Sequence, residues 1–210
     1  MDGRTSISAN AFFLMLDRTL PRRSVTPWHA LGPPACVHLF LFVHRVDGVT
    51  PGLYILVRTP DGLDSLRATT DPAFAWTRPP RCPEHLPLYF LKKGDARRIA
   101  GQVSCGQEIA ADGAFAVGMI AEFAPRLREF GPWFYRRLFW ETGMIGQVLY
   151  LEAEATGIRA TGIGCFFDDP VHALLGLSNN DFQSLYHFTV GGATEDLRLM
   201  TWPPYERSSK

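Results

Sequence analysis

The sequence lacks an excess of charge of either sign, because its 210 residues contain 21 Lys plus Arg and 21 Asp plus Glu. A chain with balanced charge has no general electrostatic attraction to nucleic acid, to an anionic membrane surface or to an acidic partner. We therefore expect no nucleic-acid partner. A small-molecule or peptide substrate, or another protein, is the more reasonable partner.

Long apolar runs are missing as well. The longest, at residues 37–43 and 114–121, fall far short of the roughly 20 residues that a membrane-spanning helix needs, so we expect no membrane segment. The N-terminal residues show neither a basic-then-apolar layout nor a small-residue cleavage site, which predicts that there is no secretory signal. These absences together favour a cytoplasmic protein.

Cysteine is scarce and is not arranged for metal binding. Four cysteines are present, Cys36, Cys82, Cys105 and Cys165, and no two of them form a C-x-x-C pair. The histidines do not stand at metal-ligand spacing relative to them, so we expect no metal site. We interpret the four as buried free thiols, since unpaired cysteine is usually buried.

Apolar periodicity and turn residues predict a mixture of helices and strands. The predicted helices cover residues 8–20, 61–69, 95–111, 134–156 and 171–175, and the predicted strands cover 36–44, 52–57, 88–91, 113–121, a short segment near 161, and 185–190. Residues 71–87 are rich in proline and are predicted to form a loop or lid. Because helices and strands do not alternate strictly, we expect an α+β sandwich around one mainly antiparallel sheet, in one domain over residues 1–210.

The strongest helical signal lies at residues 134–156, and Gly157 follows as a natural C-terminal cap. The residues that form its apolar stripe are Leu138, Ile145, Leu149 and Ala153. Gly143 and Gly146 inside the helix each cost about 1 kcal/mol relative to alanine. This cost favours a close approach by another helix or by a flat ligand.

Other side chains on this helix have ordinary structural explanations. We interpret Glu141 as a solvated acid near the start of the helix. An aromatic cluster at the same end is expected to pack in the core or at an interface, although it could instead line a pocket. The members of this cluster are Trp133, Phe134, Tyr135, Phe139 and Trp140.

Three segments, at residues 141–147, 151–158 and 162–166, give in order a helix, its cap, a strand and a glycine loop. This arrangement resembles the FMN-dependent nitroreductase family, and above all its branch of peptide-azoline oxidases of SagB type. Shorter matches extend the resemblance over most of the chain, at residues 46–54, 104–110, 169–177 and 190–192.

The resemblance implies a dimer, formed with a second copy or with another nitroreductase-like domain, that holds FMN at the interface and passes hydride from NAD(P)H to an acceptor. It also implies that Gly164 and Cys165 lay backbone amides against the flavin near N5, with Phe166 beside them, and that Arg198 reaches the phosphate. Glycine permits close backbone approach, amide donors stabilise developing charge, and a guanidinium suits a phosphate. A tight turn and a solvated arginine are the structural alternatives.

The chain also departs from the family pattern. The Arg-Arg-Ser phosphate anchor expected ahead of the first helix is not found, and we interpret residues 22–24, which have that sequence but follow the helix, as coincidence. The Lys-Tyr pair of the azole-forming branch is replaced by Glu129 and Phe130, which does not support its acid/base chemistry.

Three hypotheses stay open on the sequence alone. The first is an FMN-dependent NAD(P)H oxidoreductase. The second is a flavin-free or half-equipped partner domain, structural or regulatory in role, that completes a site in another chain. The third is a binding module in which the flavin cavity holds another planar ligand.

Overall fold

The computed structural model of the chain describes residues 1–32 and 34–200 and is organised around a six-stranded antiparallel sheet. The strands in chain order are β1 (Ile7–Ser8), β2 (Val37–Val43), β3 (Val46–Asp47), β4 (Gly52–Leu56), β5 (Leu88–Lys93), β6 (Phe115–Glu122), β7 (Arg159–Ile163) and β8 (Phe182–Gly191). The sheet has the order β5-β4-β2-β6-β8-β7, and each neighbouring pair is antiparallel. The short strands β1 and β3 form a separate parallel pair.

Helices cover both faces of the sheet. In chain order they are α1 (Ala9–Arg18), α2 (Trp28–Leu31), α3 (Gly62–Thr69), α4 (Arg97–Val103), α5 (Glu108–Asp112), α6 (Ala124–Phe130), α7 (Phe134–Ala155) and α8 (Asp168–Leu175). Every residue of β2 is buried, and successive side chains point to opposite faces. Leu39 and Leu41 pack in one core with α1 and α7, whereas Phe40 and Phe42 pack in a second core with α3, α4 and α8. The predicted α+β sandwich is confirmed.

The ends of two predicted helices are fixed by the residues that the sequence indicated. Ser8 precedes α1, and its hydroxyl accepts a hydrogen bond from the amide of Ala11 at 3.1 Å. Helix α7 runs for 22 residues, and Gly157 follows it with a φ of +75°. Glycine adopts this left-handed conformation without steric cost, so it ends the helix cleanly.

The predicted helix at 95–111 is wrong in one respect, because the chain breaks it into α4 and α5 with a turn at residues 104–107. Cys105 and Gly106 have φ values of +57° and +71°, which a continuous right-handed helix cannot contain. Ala96 precedes α4 without a side-chain cap, and the carboxylate of Asp95 accepts a hydrogen bond from the amide of Arg97 at 3.1 Å. The break creates a turn that faces the loop after β7.

Residues 71–87 form a loop that is attached to the edge strand β5. The backbones of Thr77 and Phe90 exchange hydrogen bonds at 2.7 and 3.2 Å, and the amide of Ala75 donates to the carbonyl of Leu91 at 2.9 Å. The segment thereby lies along the sheet edge. Its role as a lid stays a prediction.

The interpretation of Glu141 as a solvated acid is wrong, because its side chain is fully buried, at 0% exposure. Its carboxylate accepts hydrogen bonds from Arg58 Nη1 at 2.5 Å and from Arg137 Nη1 at 3.3 Å. It also accepts from the amides of Cys36 at 2.9 Å and Val37 at 3.3 Å, at the start of β2. The carboxylate of Glu141 thus links α7 to the start of β2 and to the buried guanidinium of Arg58.

We expect Glu141→Gln to destabilise the fold by about 3 to 5 kcal/mol, because it leaves two buried guanidinium groups without their counter-charge. The free energy of unfolding, measured with urea, checks this. The matched control is Glu154→Gln on the exposed side of the same helix, which should change stability by no more than about 0.5 kcal/mol. Equal stability of the two variants would contradict the account of the buried cluster.

Candidate functional site

The glycine loop that follows β7 is exposed and lies against the turn between α4 and α5. Gly164 and Cys165 are exposed, and Phe166 is partly buried. Gln107 donates through Nε2 to the carbonyl of Cys165 at 3.0 Å, and the amide of Phe167 donates to the carbonyl of Val103 at 2.8 Å. Two hydrogen bonds from different parts of the loop therefore fix its position against the turn.

The backbone amides of Gly164, Cys165 and Phe166 donate to no protein acceptor within the residues that the structure describes. Backbone N–H groups are strong donors, and those of ordered segments usually have a partner, which can be protein, water or a ligand. Three successive amides without a protein partner can donate to a bound anion or to a ring nitrogen. Gly164, Cys165 and Phe166 are thus placed in one exposed loop, and their role at a flavin stays a prediction.

Phe166 is held in place by a buried histidine that the sequence analysis did not connect with it. Its ring stacks on the His187 imidazole with centroids 4.6 Å apart and planes 9° from parallel. The two ring nitrogens of His187 each lie 3.2 Å from a hydroxyl, that of Ser104 and that of Ser184. Burial lowers the pKa of His187 to about 4, so the imidazole is neutral at neutral pH.

The glycines of the loop and of its strand allow Tyr186 to approach the backbone closely. A Cβ added at Gly162 would lie 2.3 Å from the hydroxyl oxygen of Tyr186, whereas one added at Gly164 would meet the same ring at 3.9 Å. The amide of Gly162 also donates to the hydroxyl of Tyr150 on α7 at 2.9 Å. Gly162 therefore serves packing, while Gly164 leaves open space above the loop.

A recess between α7 and β8 continues from Tyr186, with a volume of about 270 Å³. Gly143 and Gly146 line it, as does Phe188, against which a Cβ at Gly146 would lie at 3.4 Å. The two helical glycines line a concave surface, but nothing lies within 4 Å of a Cβ at Gly143, so the close approach of a helix or a flat ligand stays a prediction. Sites for cofactors and drug-sized ligands usually measure about 300 to 1,000 Å³, so this recess offers only part of one.

One face of α7 carries large apolar side chains that no part of the described chain covers. Trp133 is 53% exposed and Trp140 is 55% exposed, although Phe134 of the same aromatic cluster is buried. The other exposed apolar residues along α7 and next to the loop are Tyr135, Phe139, Tyr150, Leu151 and Phe167. The core therefore holds Phe134, while the other four members of the cluster are exposed, and their packing at an interface stays a prediction.

The interpretation of the cysteines as buried thiols is right only for Cys36, since Cys82 and Cys105 are partly exposed and Cys165 is exposed. Cys105 and Cys165 interact through their side chains, and this interaction raises the pKa of Cys105 to about 11. The described residues contain no group of three or more His, Cys, Asp or Glu side chains placed to bind a metal ion.

Arg198 lies on the segment after β8, where its side chain is 89% exposed and pairs with Asp196 at 2.7 Å. No hydrogen bond or ion pair within the described ranges links Arg198 to the glycine loop, so its role at a phosphate stays a prediction.

Glu129 is exposed and pairs with Arg126 at 2.9 Å, and Phe130 stacks on Phe134 at 4.6 Å. Neither side chain offers the acid/base function of a Lys-Tyr pair.

The class of fold is defined by two features. The antiparallel sheet lies between two helical layers, and the glycine loop comes directly after the strand that follows the longest helix. The model of the nitroreductase family matches residues 75–192 of this sequence. The chain belongs to the nitroreductase family. No curated protein sequence gives a significant match.

Solved structures of related fold agree with this assignment. A putative nitroreductase from Anabaena variabilis is 23% identical, with a TM-score of 0.67 over 92% of this chain and 35% of its own. A chain of the Escherichia coli microcin synthetase McbBCD complex, solved with truncated pro-MccB17 bound, is 17% identical, with a TM-score of 0.62 over 92% of this chain and 66% of its own. A putative nitroreductase from Ralstonia eutropha is 14% identical, with a TM-score of 0.55 over 89% of this chain and 73% of its own.

The chain therefore spans about a third of the length of the Anabaena protein and about two thirds of the length of the microcin synthetase chain. At these identities the likeness concerns the fold, and the SagB-type branch stays a prediction.

Within the described residues, no helix combines the length and the apolar character that crossing a bilayer requires.

We expect His187 to make the fold sensitive to acid. Its pKa is about 4 in the folded chain against 6.5 for an unperturbed histidine, so only the unfolded chain binds this proton between those values. Stability contributed by the neutral imidazole is present above pH 6.5 and is lost as the pH falls towards 4. Replacing His187 with Gln removes this contribution. The free energy of unfolding of the variant should therefore fall by about 2 kcal/mol less than that of the wild type between pH 7 and pH 5.

Urea unfolding at the two pH values measures the difference. His29→Gln is the control, because the His29 side chain is exposed and forms no hydrogen bond in the described part of the chain. It should keep the pH dependence of the wild type. A His187→Gln variant with the same pH dependence as the wild type would show that His187 titrates normally in the folded chain.

Proposed function

We propose that this chain, as one nitroreductase-like domain over residues 1–210, is a subunit of an FMN-dependent oxidoreductase. It pairs with a second copy or with another nitroreductase-like domain, and it uses NAD(P)H to reduce a small-molecule or peptide acceptor. The observation that carries the proposal is the run of amides at Gly164, Cys165 and Phe166, which have no protein acceptor among the described residues, in a loop that two hydrogen bonds hold against the α4–α5 turn.

The residues at this loop fit a flavin for two reasons. The space above Gly164 is open, since an added Cβ would meet only the Tyr186 ring at 3.9 Å, so a planar ring can approach the backbone. The amides of Gly164 and Cys165 are also the kind of fixed donors that stabilise negative charge on a reduced ring. Bound FMN would supply the hydride-transfer chemistry, which no side chain of this chain can supply itself.

The contribution of the chain is to position and to donate hydrogen bonds. Gln107 holds the carbonyl of Cys165, which orients the adjacent amides outward. His187 is neutral and packs flat against Phe166, so this aromatic side chain is fixed without placing a positive charge beside the ring. Such fixed dipoles cost no reorganisation when charge develops.

A second chain is needed to complete the site. The recess between α7 and β8 measures about 270 Å³, which is smaller than a usual cofactor pocket. The uncovered apolar face of α7 borders it through Phe139 and Tyr150. Large exposed apolar patches of this kind mark protein interfaces, so the surface that buries α7 is the one that encloses the recess.

The alternative function is a flavin-free or half-equipped partner domain. Two observations favour it, namely the small recess and the pairing of Arg198 with Asp196, which neutralises the arginine predicted to reach the phosphate. The residues at Glu129 and Phe130 do not support peptide-azoline oxidation under either function. FMN binding by the purified chain separates the two functions.

We expect Gly164→Ala to weaken FMN binding at least about tenfold, which corresponds to about 1.4 kcal/mol, because its methyl group occupies the approach to the amides. Stability should change by no more than about 0.5 kcal/mol, since the new Cβ meets only one atom at 3.9 Å. Flavin fluorescence titration and thermal unfolding of the same preparation measure the two quantities.

The matched control is Gly94→Ala, where an added Cβ meets nothing within 4 Å and lies outside the loop. It should bind FMN as the wild type does. If Gly164→Ala binds FMN normally, the loop is not the flavin site. If the wild type binds no FMN at concentrations where it is dimeric, the partner-domain function replaces the oxidoreductase.

We expect Trp140→Glu to disrupt dimerisation, because it places a charge in the middle of the apolar α7 face, where 55% of the Trp140 surface is exposed. Analytical ultracentrifugation should show a dissociation constant at least about tenfold higher than that of the wild type, or about 1.4 kcal/mol. Leu14→Glu, at an exposed position of α1, is the control and should leave the association unchanged. Normal dimerisation of Trp140→Glu would rule out α7 as the interface.

A further inference from the structure

A second cavity, of about 440 Å³, lies beside the segment that connects α1 to β2. Its apolar walls include Pro21, Trp28, Leu31 and Pro60. None of its lining residues belongs to the glycine loop or to the recess beside α7. Its volume falls within the usual range for small-molecule sites, so a ligand other than the flavin can be considered for it.

The cavity carries an excess of positive charge. Arg22, Arg23, Arg58 and Glu141 all line it. Arg22 is neutralised by Asp17, whose two carboxylate oxygens accept from Nη2 at 2.7 Å. Arg23 forms no ion pair within the described residues and is exposed, so it keeps its full charge.

The buried floor of the cavity adds a second uncompensated charge. Arg58 and Arg137 share the one carboxylate of Glu141, so these three side chains together carry one net positive charge. Burial lowers the pKa of Arg58, and Glu141 opposes that shift, so the guanidinium stays protonated. A ligand with one negative charge would balance the floor.

Two residues that line the cavity each carry a buried polar atom without a partner in the described part of the chain. Arg58 donates through Nε to the carbonyl of Thr19 at 2.8 Å and through Nη1 to that of Val37 at 2.6 Å, but its Nη2 is buried without an acceptor. The hydroxyl of the next residue, Thr59, is likewise buried and unpaired. A buried donor without an acceptor destabilises the fold, so an acceptor from a ligand would relieve that cost.

Trp28 connects the floor to the apolar wall. Its ring lies over the Arg58 guanidinium, with Cζ 5.0 Å from the ring centroid, and its indole Nε1 donates to the carbonyl of Arg18 at 3.1 Å. Since Nη2 of Arg58 and the Thr59 hydroxyl are shielded from solvent, a ligand reaches them only if a covering side chain moves. Trp28 lines the cavity and lies over this guanidinium, so its displacement would uncover one face of Arg58.

We propose that this cavity binds a small monocarboxylate with an aromatic or apolar body. Arg23 attracts the carboxylate from solvent, Arg58 and Thr59 supply the buried donors, and Trp28 and Leu31 pack against the body. A single negative charge matches the net charge of the floor, and the apolar walls exclude a fully hydrated dianion. The proposal uses none of the contacts that support the flavin site, so the two can fail separately.

Isothermal titration calorimetry with 3-phenylpropionate, against 3-phenylpropionamide as the neutral match, tests the proposal on the full chain. We expect the carboxylate to bind at least about tenfold more tightly than the amide, because only the carboxylate satisfies the buried donors. Binding should weaken as salt is added, since Arg23 is exposed. Inorganic phosphate should bind more weakly than the carboxylate.

Arg23→Gln should weaken binding of 3-phenylpropionate at least about fivefold without changing thermal stability, because this side chain has no partner to lose. The matched control is Arg128→Gln, an exposed arginine outside the cavity whose nearest carboxylate is 3.7 Å away, and it should bind as the wild type does. Equal binding of acid and amide, stronger binding of phosphate, or an unchanged Arg23→Gln variant would overturn the proposal. Loss of carboxylate binding in the Gly164→Ala variant would also overturn the proposal, because it would show that the carboxylate binds at the glycine loop and not in this cavity.

Discussion

The structure depends on one buried carboxylate. Glu141 lies in the middle of the protein at 0% exposure and accepts hydrogen bonds from two guanidinium groups and from two backbone amides at the start of β2. Removing a carboxylate from water costs several kcal/mol, and only a complete set of donors offsets that cost. Because those donors come from different parts of the chain, α7 can occupy only one position on the sheet.

The position of α7 in turn fixes the site. One side of this helix packs in the core, and the other exposes Trp133 and Trp140 and places Gly143 and Gly146 above β8. Strand β7 follows the helix directly, so the loop that ends it emerges beside the same strand β8. A shift of the helix would move both the apolar face and the recess, and the glycine loop with them.

The local features of this fold could be predicted from the sequence, because each has a local physical cause. The apolar run of β2, the stripe along α7 and the cap at Gly157 all locate elements that the structure contains. The glycine loop could be found only through its resemblance to a family. A glycine by itself does not distinguish a tight turn from a surface that a ligand approaches.

What the sequence did not predict depends on contacts between distant residues. Glu141 shares a helix face with Leu138 and Ile145, and this spacing could have indicated burial, but nothing local identifies Arg58 as its partner 83 positions away. The stack of Phe166 on His187 is equally hidden, because it forms between a loop and a strand. The break after α4 depends on the left-handed backbone at Cys105, a conformation that is unusual for cysteine.

The proposed function requires that this chain hold FMN in a site completed by a second chain. Sedimentation velocity with detection of both protein and the visible flavin band, over a dilution series that crosses the monomer–dimer transition, tests it most directly. We expect the flavin absorbance to sediment with the dimer and to be lost from the monomer on dilution. Flavin that travels with the monomer, or a dimer that carries none in excess FMN, would contradict it.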